Sequence, residues 1–74
     1  MKSTIEIVSF GKLQLSWKFL GCCTDPASQR WLQRQLSRLT PSEIGHGLMH
    51  PSGRGMLQKA CELAGIDYEE LRRG

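Results

Sequence analysis

The stretch from Ser3 to Gly21, "STIEIVSFGKLQLSWKFLG", decides the fold. Leu13, Leu15, Trp17 and Phe19 alternate with Gln14, Ser16 and Lys18, the period-two pattern of a strand with one buried face. Ile5 and Ile7 alternate with Thr4 and Glu6 in the same way. Two such runs around a glycine predict a β-hairpin, whose register depends on the length of its turn. A two-residue turn at Gly11-Lys12 pairs Glu6 with Trp17 and Ile7 with Ser16, which mixes the faces. A three-residue loop, Ser9-Phe10-Gly11, pairs Ile7 with Leu13 and Ile5 with Leu15, and puts Gly11 at a left-handed position. A slip of one residue turns every side chain to the other face. The pattern therefore favours the three-residue loop, with Phe10 exposed at the tip.

Downstream the period changes to that of helices. "TDPASQRWLQRQLSRLT" opens with a Thr24 or Asp25 cap and carries Pro26 at the first helical position. Leu32, Leu36 and Leu39 fall on one side, Arg30, Arg34 and Arg38 on nearly the opposite side, and Trp31 at the border. Thr40, Pro41 and Glu43 have the spacing of a capping box for a second helix, which Gly45 and Gly47 weaken and Pro51 ends. In "GMLQKACELAGI", Leu57, Ala60, Cys61 and Ala64 share a face, and Gln58, Lys59 and Glu62 look away. Gly65 suits the C′ position with Ile66 as its apolar partner. Asp67 then caps a short helix, "YEELRR", with Glu70 as its returning partner.

The order is thus β-β-α-α-α-α. A hairpin alone is marginal in water, so its apolar face must lie under the leucines of the helices. The expectation is an α+β fold: one domain over 1–74, with a hairpin over 3–20 packed against three or four short helices in 25–74.

At 74 residues the chain has room for one core and little more. Ten Lys and Arg against seven Asp and Glu make it mildly basic, and no block of like charges occurs. Three cysteines, two of them adjacent, do not form a disulfide framework. Glu6 interrupts what a signal peptide would need as an apolar run, and no stretch reaches the roughly 20 apolar residues of a membrane span. A cytoplasmic protein without a membrane segment is expected.

Most of the residues with chemical potential lie in "IGHGLMHPSGRG", Ile44 to Gly55. His46 and His50 share a helix face and, with Cys22, Cys23 and Cys61, contain the atoms of a zinc tetrahedron. Adjacent cysteines are not the C-x₂₋₄-C half of a zinc module, however, and the expectation is no metal and no cofactor. "SGRG" lacks the rest of a phosphate loop, so the stretch reads as a joint between helices. The C-terminal pair vaguely resembles a helix-turn-helix, but Asp67, Glu69 and Glu70 would present carboxylates to DNA. Cys61 lies on the apolar face of its helix and has no evident catalytic partners, so no enzyme is expected.

What is left is a binding surface. Arg30, Arg34 and Arg38 with Trp31 beside them, together with Phe10, are the candidate partner-binding residues, since arginine and aromatic residues dominate interface hot spots. The hairpin has open edges that invite a partner's strand or a second copy, giving a homodimer. The function expected is a small non-enzymatic regulator, adaptor or inhibitor that binds another protein. The alternative is a nucleic-acid-binding module that holds phosphates with the same arginines and Lys59, Arg72 and Arg73.

Overall fold

A computed structural model of the chain describes residues 6–73. Strands β1 (Ile7–Phe10) and β2 (Leu13–Ser16) form an antiparallel hairpin. Five helices follow: α1 (Trp17–Cys22), α2 (Pro26–Ser37), α3 (Pro41–Leu48), α4 (Gly53–Ala64) and α5 (Tyr68–Arg73). The fold is α+β, as the change of period implies. The count is one helix more than expected, and the hairpin is shorter than 3–20.

The register is the one that the sequence pattern disfavoured. Ile7 pairs with Ser16, Val8 with Leu15, Ser9 with Gln14 and Phe10 with Leu13. The turn has two residues, Gly11 and Lys12. Gly11 has φ of 64° and Lys12 does not enter the positive region, an arrangement that matches a II′ turn with glycine first. The physical reason lies in Val8 and Phe10. This register points both inward, opposite Leu15 and Leu13, so four apolar side chains share one face. The three-residue loop would have turned Val8 and Phe10 out in exchange for Ile5 and Ile7. Ile5 itself, with the expectation attached to it, lies outside the described residues.

The second correction concerns Trp17 and Phe19, which the alternation assigned to a strand. β2 stops at Ser16, whose extended backbone and side chain cap α1: its Oγ accepts the Phe19 N–H at 3.1 Å. A serine before a helix-compatible run is a start signal, and the strand alternation masked it.

Three other caps agree with the sequence; at α5 Asp67 Oδ1 accepts the Glu69 N–H at 2.9 Å, without the expected returning Glu70 bond. Asp25 caps α2 with Pro26 behind it, and Thr40 and Glu43 close a reciprocal capping box on α3. Gly65 ends α4 in the left-handed conformation, with Ile66 N–H donating to the Cys61 carbonyl at 2.9 Å. One core joins hairpin to helices: Val8, Phe10, Leu13 and Leu15 meet Leu20, Leu32, Leu36, Ile44, Met56, Leu57, Ala60 and Cys61.

The glycine-rich stretch is indeed a joint, and close packing explains its composition. A Cβ on Gly47 would overlap the Phe10 ring, and one on Gly53 would overlap the Gly47 carbonyl oxygen. Gly47 lets the Phe10 ring of the hairpin lie on α3, and Gly53 lets α4 approach the α3 backbone.

Two substitutions test this packing. Phe10→Ala should cost about 3–5 kcal/mol in urea unfolding, the loss typical of a core phenylalanine. A change below about 0.5 kcal/mol, as for an exposed turn residue, would contradict the register. Gly47→Ala should cost about 1–3 kcal/mol by overpacking. It should cost much less in a Phe10→Leu background, because the clash is with the ring.

Candidate protein-binding surface on helix α2

Helix α2 is fastened at its N-terminus. Asp25 Oδ2 accepts the Ser28 N–H at 3.1 Å, and Ser28 Oγ donates to Oδ1 at 2.8 Å. These bonds, the hydroxyl first, hold the Asp25 carboxyl below the usual carboxylate range. Leu32 and Leu36 are fully buried, and Gln29 Nε2 reaches back to the Cys23 carbonyl at 3.4 Å. With that face fixed, helical geometry sends Arg30, Arg34 and Arg38 outward, about 6 Å apart along the axis. All three are exposed, and among the described residues no ion pair involves them.

Trp31 stands where the sequence placed it, at the border between buried and exposed, with 39 % of its surface accessible. Phe19 of α1 meets its ring edge-on, with centroids 5.7 Å apart and planes at 76°. With Ala27 and Ser28 these two rings line an open, mainly apolar cleft of about 290 Å³ between α1 and α2. Phe19, Ala27 and Ser28 are the site residues that sequence reasoning missed. The first was hidden by its assignment to a strand, and the others follow only once that partner helix is known.

Phe10 is corrected. It is fully buried, against the glycine face of α3, and offers nothing to a partner. The two ends of the arginine row differ in their surroundings. Arg30 shares a cleft with Gln33 and Glu62, and Arg38 shares another with Lys12 and Glu43.

The remaining candidates separate from this surface. His46 is exposed. His50 Nδ1 accepts the Ser52 N–H at 3.0 Å, and its Nε2 lies 3.9 Å from Glu6 Oε2, the atom to which Ser52 Oγ donates at 2.7 Å. The serine hydroxyl donates to the acid and the imidazole Nδ1 accepts a backbone N–H, so the trio ties the joint to the start of β1 rather than activating a nucleophile. Among the described residues no three His, Cys, Asp or Glu side chains gather as a metal site. Asp67, Glu69 and Glu70 at the start of α5 are exposed, and Arg72 lies 3.8 Å from Glu69 and over the Tyr68 ring. The would-be recognition helix therefore leads with carboxylates, as the sequence indicated. No helix among the described residues is long and apolar enough to cross a membrane.

Comparison of the chain with protein-family models, with curated proteins and with solved structures returns no match.

The thiols give a test of the burial. Cys22 is exposed and Cys23 and Cys61 are buried. Burial first, then the Asp67 charge, pushes the Cys61 thiol up to about 11 from an ordinary 9.0. Alkylation at pH 8 should label Cys22 first and leave Cys61 untouched until the chain unfolds; equal rates would contradict the packing of α4. Below the ordinary thiol pKa folded and unfolded chains both keep this proton. Above it only the unfolded chain releases it, so stability should fall between pH 9 and about 11.

Proposed function

We propose that this chain is a small non-enzymatic binding protein, a regulator, adaptor or inhibitor that engages another protein through the outer face of α2. One observation carries the reading. A half-exposed tryptophan borders an open apolar cleft, and beside it three arginines point to solvent without an acid partner among the described residues. Tryptophan and arginine are the side chains that most often anchor protein interfaces, because each combines a large apolar or planar body with a polar edge. In the same reading the protein works in the cytoplasm, and the hairpin edge, where Ile7 is 53 % exposed, is the place for strand addition or a homodimer.

The test is affinity capture from native lysate with and without nuclease, using the wild type and the Arg34→Glu/Arg38→Glu double variant. A nuclease-resistant protein partner should be retained at near-stoichiometric level by the wild type. It should be lost at least about tenfold by the variant, as expected when hot-spot charges are reversed. The variant should melt with the wild type, since both positions are surface sites. Capture that disappears with nuclease, and that weakens steeply with salt, would replace this reading with the nucleic-acid module.

A further inference from the structure

The α2 surface is asymmetric along its length, and the asymmetry defines the chemistry of what fits it. Ala27, Trp31, Arg34 and Arg38 fall at i, i+4, i+7 and i+11, one stripe of the helix. The apolar cleft occupies the first part of that stripe and the two guanidinium groups the last. From Trp31 the rise along the axis is about 4.5 Å to Arg34 and about 10 Å to Arg38. A second helix lying alongside has the same rise per residue. An apolar side chain seated in the cleft would therefore be followed, three or four and then seven residues away, by the positions that face the arginines.

We propose that this stripe binds an acidic amphipathic helix of another protein, with one large apolar anchor between Phe19, Ala27, Ser28 and Trp31 and two carboxylates on Arg34 and Arg38. The proposal rests on the reading of α2 as the interface and adds the partner's chemistry. Charge complementarity calls for an anionic occupant, since the two arginines have no acid partner among the described residues, and the apolar cleft one to two helical turns away calls for an anchor that an amphipathic helix supplies beside its acids. The same surface is poorly suited to a nucleic-acid strand. Asp25 caps the cleft end of α2, Glu62 shares a cleft with Arg30, and Glu43 shares one with Arg38. A run of phosphates tracking the whole row would meet all three, whereas two carboxylates at Arg34 and Arg38 would have, of these, only Glu43 beside them.

The experiment is selection of a displayed library of helical peptides on the full chain, followed by affinity measurement of the best binder as a synthetic peptide. The expected consensus is a Leu, Phe or Trp with Asp or Glu at three or four and at seven residues from it. Binding of that peptide should fall at least tenfold with Trp31→Ala and with Arg34→Glu/Arg38→Glu. Exchanging the peptide's acids for lysines should restore binding to the double variant, a rescue that loss of structure would not give. Enrichment of acid-free peptides that still need Trp31, or no enrichment, would overturn the acidic partner and leave α2 as the interface. Enriched peptides that bind both variants as well as the wild type would remove the α2 interface itself. A single-stranded DNA oligonucleotide that displaces the peptide at physiological salt would assign the arginines to phosphate instead.

Discussion

The Phe10 ring occupies the space in which a side chain at residue 47 would stand, and much of the architecture follows from that contact. Burying a phenylalanine is worth about 1.5–3 kcal/mol, a large share of the stability of a domain this small. It is obtained only if the hairpin turns in two residues, because an added loop residue would direct Phe10 and Val8 to solvent. The ring in turn requires that α3 carry a glycine opposite it. Gly53, whose Cβ would strike the Gly47 carbonyl oxygen, extends the same close approach to α4. A stretch that looks rich in chemistry is thereby accounted for by packing, with the Glu6, His50 and Ser52 side chains fastening it to β1.

The same core leaves the outer face of α2, the proposed interface, to solvent. The hairpin, α3 and α4 meet around Phe10, and α2 closes the core from another side through Leu32 and Leu36. Its outer face presents Trp31, which packs in part against Phe19, and three arginines. Several other charged side chains have local roles. Asp25, Thr40, Glu43 and Asp67 serve helix starts, and Lys59 and Arg72 stand near carboxylates on their own helices. The α2 ridge has no such internal use.

Much of the fold could be read directly from the residues. Pro26 after Asp25, the Thr40 to Glu43 box, Gly65 with Ile66, and the Leu57, Ala60 and Cys61 face all rest on local rules that tertiary structure did not override. The misreadings share one cause. Strand alternation is a local signal that continued past Ser16 into Trp17 and Phe19, although the hydroxyl of Ser16 starts a helix there. The register turns on Val8 and Phe10, which lie off the Ile5–Ile7 alternation, and only the volume of the shared core puts both inside. For the site, Arg30, Trp31, Arg34 and Arg38 were identifiable because helical spacing alone decides which face they take. Phe19 was not, since its contact with Trp31 depends on a turn of chain between two elements.

The claim that α2 is the working surface is tested most directly by placing a photo-crosslinking amino acid in cells at Ala27, on the wall of the cleft, and separately at Gln58, exposed on α4. A single protein adduct is expected from position 27, unaffected by nuclease, and none from position 58. An adduct from position 58 alone, or one from position 27 that proves to be nucleic acid, would contradict the claim.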